Sequence, residues 1–282
     1  MKRNILTLSL ALSTLLLPGQ PGVGNSDISK IDWQFKGLSD GVTLRYANDT
    51  LFNSVQAIYV VDIDTSAAAF EFGVAVPDTR MATSAIAQQE GVLAAVNGTF
   101  FNMREGYNVH YVRVDDSLIA VTDEGEFGIR ATGVFTATGE ITDIMPWGPE
   151  REDAGAVIAE DAIVSGPLLI DDGVDMFLDS INFNTYRHPR TMVGITGQGH
   201  LLLVVVDGRQ PGYAEGMSLF ELRALAHSLG CTDALNLDGG GSTTLVIAGE
   251  GSDGVVNRPS GKVQRPVPSI LFVRQADDNC NK

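Results

Sequence analysis

Lysine, histidine and cysteine are scarce in this 282-residue chain: five Lys, four His and two Cys. Two cysteines exclude a disulfide scaffold and a zinc centre built from four thiolates. Four histidines leave little room for histidine-based metal chemistry. Basic residues are few overall, 19 against 35 acidic ones, for a net charge of −16. Nucleic acid and anionic membrane surfaces are therefore excluded as main partners, since like charges repel. Long apolar runs are also missing after the first two dozen residues, so no later segment reads as a membrane span. No internal repeat and no low-complexity linker is present.

What remains is a folded composition, 44% apolar and 19% charged. The length suits one large domain or two small ones. The first 24 residues read as a secretory signal: Lys2 and Arg3, an apolar run from Ile5 to Leu17, then small and turn residues from Pro18 to Gly24. This implies a secreted or periplasmic protein with no stable membrane insertion once the signal is cleaved. Export would permit a Cys231–Cys280 disulfide; a buried free Cys231 and a loose Cys280 is the equal alternative. Residues 27–275 read as a single domain and 276–282 as a flexible tail.

The expected fold is α+β and strand-rich, a twisted mixed sheet with few helices. Short β-prone runs recur at 55–63, 70–76, 92–96, 111–114, 162–170, 192–196, 200–206, 234–237, 244–247 and 270–273. Helices are expected over 81–90 and 219–229. In the second, Leu222, Leu225, Ala226 and Leu229 repeat at helical spacing, Ser218 and Glu221 form a capping box, and Gly230 supplies the stop. The stretch 200–237 then reads as a β-α-β unit. Asp207 follows its first strand and Asp238 its second, so both carboxylates should leave the same sheet edge. Asn97 follows another apolar run and is a candidate to join them.

Four strings carry candidate chemistry. Asp238-Gly239-Gly240-Gly241-Ser242 lets a backbone approach a ligand closely and suits an anion-binding concavity. It lacks the Gly-Lys-Ser/Thr ending of a phosphate-binding loop, and no helix follows as in a dinucleotide fingerprint. Asn97-Gly98-Thr99-Phe100-Phe101 marks a strand end. Asp207-Gly208-Arg209 places an acid beside a guanidinium suited to phosphate. Arg187-His188-Pro189-Arg190 sets two guanidiniums three residues apart, able to grip one anion. The bias of 14 Arg to 5 Lys agrees with planar anion recognition. A serine hydrolase through Ser242 needs a histidine from His110, His188, His200 or His227, and no G-x-S-x-G elbow frames Ser242. Asp115-Asp116 and Asp123-Glu124 are possible Ca²⁺ ligands, or solvated turns.

Taken in order, Asn97-Gly98-Thr99-Phe100-Phe101, Arg190-Thr191, Asp207-Gly208-Arg209, Gly216-Met217-Ser218-Leu219 with Glu221, Asn236 to Ser242, and Asn257 with Pro259 resemble the phosphodiester glycosidase family. The likeness spans 97–259, and about 55–273 with its apolar flanks. One departure is Ala214, where the family often carries serine. The resemblance is to the catalytic domain, without the cysteine-rich and membrane segments of the lysosomal member. It implies hydrolysis of a sugar 1-phosphodiester, N-acetylglucosamine-1-phosphodiester-like, to free sugar and a phosphate monoester. On that reading Asp238, and secondarily Asp207, is the catalytic carboxylate. Arg190 and Arg209 clamp the phosphate beside the Gly239, Gly240, Gly241 and Ser242 amides. Asn97, with Gly98 and Asn257, orients substrate, and Glu221 caps its helix. No cofactor is required, and a role for a divalent cation such as Ca²⁺ stays open. The competing readings are a non-catalytic exopolysaccharide-binding or envelope-assembly protein on the same fold, and an esterase through Ser242.

Overall fold

The computed structural model describes residues 28–155 and 159–276. The signal segment, Cys280 and nearly all of the 276–282 tail lie outside the described residues. In chain order the strands are β1 (Gln34–Ser39), β2 (Val42–Leu51), β3 (Ser54–Ile63), β4 (Phe70–Ala75), β5 (Ala94–Asn97), β6 (Val112–Val114), β7 (Ser117–Ala120), β8 (Gly133–Thr138) and β9 (Ile141–Pro146). They continue with β10 (Asp161–Ser165), β11 (Leu168–Asp171), β12 (Val174–Asp175), β13 (Arg190–Thr196), β14 (Leu201–Val206), β15 (Cys231–Asn236), β16 (Leu245–Ile247) and β17 (Ile270–Gln275). The helices are α1 (Thr83–Glu90), α2 (Pro149–Asp153), α3 (Asn182–Thr185) and α4 (Leu219–Ser228). The strand-rich α+β class is as expected.

Eight strands form one sheet in the order β1-β2-β3-β14-β13-β15-β11-β12. A five-stranded sheet (β7-β6-β10-β8-β9) and a four-stranded one (β16-β5-β17-β4) pack against it. One core joins all three: Val61, Leu203 and Leu235 of the large sheet meet Phe135 and Ile163 of the second and Val96 and Leu271 of the third. The opposite face of the large sheet is closed by α4, whose Leu222, Leu225 and Ala226 pack on Val204, Met192 and Ala234. This two-sided burial explains the unbroken apolar run of β14, buried at all six positions. Ser218 and Glu221 make the expected reciprocal cap on α4.

The expectation of a mixed sheet is corrected in one respect. Every pairing between the named strands is antiparallel. β14 and β15 do run the same way, but β13 lies between them and pairs with both. The crossover through α4 is therefore long enough to skip a strand, and the directional inference survives: Asp207 and Asp238 leave the same edge. The intervening β13 enters at that edge, with Arg190 opposite Val206. The run expected at 162–170 is split by Gly166-Pro167 into β10 and β11, which belong to different sheets. Cys231 is buried, which pushes its thiol up to about 12. Its proposed partner Cys280 is among the undescribed residues. No helix among the described residues is long and apolar enough to cross a membrane.

Candidate active site

Asp238 is locked by its own backbone. Its N–H donates to Gly98 O (3.1 Å), and its carbonyl accepts the Asn97 side-chain amide (2.6 Å). The third sheet thus grips the end of β15, and the half-buried Asp238 carboxyl is fixed where the chain turns through Gly240–Ser242. That turn uses two of the amides expected to face an anion: Gly240 N–H donates to Pro189 O (2.9 Å) and Ser242 N–H to Gly239 O (3.2 Å). The glycines serve a different purpose. A Cβ on Gly240 would sit 3.1 Å from Arg209 Nη1, and one on Gly241 only 2.2 Å from Arg265 Nη2. Two guanidiniums come close to the turn in space that side chains at Gly240 and Gly241 would take.

Burial pushes the Asp238 carboxyl up to about 6, against the opposing pull of the Ser242 hydroxyl, Arg265, the Gly239 N–H and Arg130. Burial and then neighbouring Arg265 lower the pKa of Arg209, while Asp238 raises it. Neither Arg209 nor Arg265 is in an ion pair among the described residues. Two cations near one carboxylate leave net positive charge for an anion. Arg209 also donates through Nη2 to His188 Nδ1 (3.2 Å). His188 must therefore be neutral, with its proton on Nε2. Burial, then Arg190 and Arg209, lower it to about 4.

Asp207 is held differently. It is 1% exposed, and both carboxylate oxygens accept: Oδ1 from Asn257 Nδ2 (2.8 Å), Oδ2 from Arg258 N–H (2.8 Å) and the Tyr213 hydroxyl (3.3 Å). Burial still raises it to about 6. Asn257 completes the tie by accepting from Leu245 N–H (2.8 Å) and donating to Thr243 O (3.2 Å). Asn97 is fully buried and takes Thr191 Oγ1 (2.8 Å) and Thr244 N–H (3.2 Å) on its carbonyl. Gly98 abuts Ser269, whose Oγ would be 2.4 Å from an added Cβ. Asn97 and Gly98 thus brace the Asp238 backbone, while Asp207 and Asn257 tie the 243–245 and 257–258 segments together. Their polar atoms face the protein, which corrects the expectation that Asn97 and Asn257 reach substrate.

The expected grip by Arg187 and Arg190 is also corrected. Arg187 pairs with Glu221 and donates to Phe52 O. Arg190 is 2% exposed and donates to the carbonyls of Met217 (2.8 Å), Phe183 (2.8 Å) and Tyr186 (3.0 Å). It is a brace, so Arg190→Leu should lower unfolding free energy by about 3 kcal/mol or more, because buried carbonyls lose their donors. A denaturant titration would show it; unchanged stability would contradict this placement. Ser242 is buried and accepts from Arg265 (3.3 Å), and among the described residues no hydrogen bond joins it to a histidine. His200 and His227 are occupied by Asp62 and Asp175, so the serine-hydrolase reading has no triad.

Two groups escaped sequence reasoning. Arg265 stands in a Pro-rich loop with no local motif, and only the fold brings it to Gly241. Arg130 is held by Glu126 (2.8 Å at Nε), stacks on Phe100 at 4.8 Å and acts on Asp238. Glu126 in turn meets His110 Nε2 (3.2 Å), whose Nδ1 meets Thr99 Oγ1 (2.8 Å). That contact, then Arg130, draws Glu126 down to about 2 despite burial. Among the described residues no three His, Cys, Asp or Glu converge as a metal shell. Asp116 instead pairs with Arg113.

A model of the phosphodiester glycosidase family covers residues 90–274. The mouse N-acetylglucosamine-1-phosphodiester alpha-N-acetylglucosaminidase is 28% identical over 172 residues, 56% of this chain and 32% of that protein. The prophage-derived uncharacterized protein YomE of Bacillus subtilis is 32% identical over 93 residues, 33% of this chain and 14% of that protein. The chain thus spans less than a third of the length of either relative. Among solved structures, the zebrafish N-acetylglucosamine-1-phosphodiester alpha-N-acetylglucosaminidase catalytic domain shares the fold at a TM-score of 0.67 and 16% identity, over 90% of this chain and 92% of that one. A hypothetical protein from Synechocystis matches equally, at 0.67 and 16%, over 86% of this chain and 63% of that one. From the family match over 90–274, and from the ordered motifs that fall within it, this chain belongs to the phosphodiester glycosidase family.

Proposed function

We propose that this chain hydrolyses a sugar 1-phosphodiester, releasing the sugar and leaving a phosphate monoester. The observation that carries the reading is one carboxylate, Asp238, beside two guanidiniums, Arg209 and Arg265, that make no ion pair among the described residues. A departing phosphate is already a good leaving group, so strong acid assistance is unnecessary. Stabilising the charge that develops on it matters more, and donors already in place do this without reorganisation. Arg209 and Arg265 would hold the phosphate. His188, neutral with its Nε2–H free of Arg209, adds a donor. Asp238 would act at the anomeric carbon, as nucleophile or by activating water. The local cations also answer the long-range repulsion between an anionic substrate and a chain of net charge −16.

The N-acetylglucosamine 1-phosphodiester named for the mouse and zebrafish relatives is the first substrate to try. We also read the charged, apolar N-terminus as an export signal, which would bring the site to extracellular or periplasmic glycans. The test is NMR of purified protein with a panel of sugar 1-phosphodiesters. Free sugar with a new phosphomonoester signal is expected, and the first anomer seen reports retention or inversion. Saturable glycan binding with no release across the panel would overturn the reading in favour of a non-catalytic glycan-binding protein.

A further inference from the structure

Arg130 is tied down on one side and unbonded on the other. Its Nε donates to Glu126 Oε2 (2.8 Å), its Nη2 donates to Glu126 Oε1, and its backbone N–H donates to Glu126 O (3.1 Å). The Phe100 ring supports the guanidinium at 4.8 Å. No hydrogen bond among the described residues uses Nη1. The side chain is 35% exposed, so it reaches solvent. Its place is the candidate active site. Phe100 stands two residues beyond Gly98, whose carbonyl accepts Asp238 N–H (3.1 Å), and the Arg130 charge acts on the Asp238 carboxyl alongside that of Arg265.

An arginine bonded to a glutamate is ordinarily neutralised by it. Here the glutamate is shared. Thr99 Oγ1 has one proton, and that proton goes to Val164 O (2.6 Å), which can only accept. The same hydroxyl oxygen therefore accepts from His110 Nδ1 (2.8 Å). Glu126, drawn down to about 2, is an ionised acceptor, so His110 Nε2 donates to its Oε2 (3.2 Å). Both ring nitrogens carry protons. His110 is thus an imidazolium, fully buried, with its ring 5.4 Å from that of Phe100. One carboxylate faces two cations, and the Glu126, His110 and Arg130 cluster keeps a net positive charge.

We propose that Arg130 is a third phosphate-binding guanidinium, that its Nη1 donates to the departing phosphate beside Arg209 and Arg265, and that the His110 imidazolium keeps it available by sharing Glu126. This rests on the reading of the site as a phosphodiester glycosidase. When the bond between the anomeric carbon and the phosphate oxygen breaks, its electron pair stays on the phosphate, and the anomeric carbon takes its oxygen from water, directly or after Asp238. A singly charged diester becomes a monoester close to doubly charged. A further cation therefore stabilises the leaving state more than the bound substrate. His110 is a positioning residue, acting through Glu126 and Arg130.

Binding is measured apart from turnover. Methyl phosphate is the probe, titrated by NMR into the wild-type chain, Arg130→Gln and Arg130→Lys. Its affinity should fall about tenfold or more in Arg130→Gln, the scale of one charge-assisted hydrogen bond. Arg130→Lys keeps a cation for Glu126 should the glutamine variant fail to fold. It too should weaken methyl phosphate, because an ammonium lacks the planar fork that serves both partners. With a substrate that turns over, Arg130→Gln should lower kcat more than it raises KM. In wild-type protein carrying nitrogen-15-labelled histidine, the His110 ring should show two N–H protons at about pH 7, a signature that a merely space-filling ring would lack. Methyl phosphate affinity left unaltered by both variants would overturn the role of Arg130, as would active wild-type protein that binds no methyl phosphate at millimolar levels. A bare nitrogen on His110 would overturn the sharing of Glu126. Methyl phosphate binding that depends on Arg130, with no turnover of any sugar 1-phosphodiester, would remove the catalytic reading and leave the three-arginine anion site standing.

Discussion

Asp238→Asn is expected to lower turnover by about 10³-fold, the scale of a lost catalytic carboxylate, without lowering the melting temperature. The two halves of this result have one cause. Burial holds the Asp238 carboxyl at about 6, above its ordinary range. The charged form is therefore disfavoured in the folded protein. A carboxyl whose folded pKa is raised contributes stability below its unfolded pKa, and that contribution is lost as pH rises through the folded value. Between roughly pH 4 and 6, ionisation of Asp238 thus works against the fold. Asparagine has the same shape and no charge to bury. The variant should be at least as stable as the parent at pH 5, and its relative stability should grow towards pH 7. Paired thermal melts at the two pH values check the sign, and initial-rate kinetics check the turnover. A variant that turns over normally would remove Asp238 from the chemistry. One that melts far below the parent would make Asp238 a brace like Asp207.

Asp207 offers the contrast. It has the same residue type, the same strand-end position and a similar raised pKa of about 6. Yet three donors occupy its oxygens, whereas Asp238 faces Ser242 and the guanidiniums. The sequence placed both carboxylates at one edge correctly, because strand direction follows from the β-α-β spacing. Which carboxylate is open to a ligand depends on Asn257 and Tyr213, and neither spacing nor composition encodes that. Asn97 and Arg190 misled for a related reason. A polar residue at the end of an apolar run, or one of two guanidiniums three residues apart, looks like a ligand-binding group, but the same positions let Asn97 and Arg190 satisfy buried backbone groups of neighbouring segments. Helix α4 was legible in full, since its apolar period and capping box are local. Strands β1, β2, β7, β8, β9 and β12 were not. Polar residues interrupt β2 at Asn48 and Asp49, and Ile141 of β9 is 75% exposed, so alternation is blurred where a face meets solvent. Arg265 could not be read at all, because its meaning comes from Gly241, a residue distant in the chain.

That last pairing gives the second large effect. Arg265→Gln should lower turnover by about 10²-fold or more, as expected when a charge-stabilising donor is removed. It should also move the acid limb of kcat/KM upward. In the parent that limb reports ionisation of the carboxylate in the free enzyme, near pH 6 from the Asp238 value. Arg265 is the largest charge holding that value down. Without it the carboxyl is harder to ionise, and the midpoint rises. A group that only supported the fold would change the rate and leave the midpoint in place, so the pH profile is the decisive reading. Gly241→Ala tests the same point from the other side. Its Cβ would enter the space of Arg265 Nη2 and displace the end of a flexible side chain, with no backbone atom among the near contacts. The backbone φ at Gly241 is not left-handed, so alanine fits the turn itself. Gly241→Ala should therefore reproduce the kinetic defect and the upward midpoint shift in a protein of normal stability. If it does so while Arg265→Gln leaves the midpoint at the parent value, the guanidinium is not what sets the charge of Asp238, and the division of labour around this turn must be redrawn.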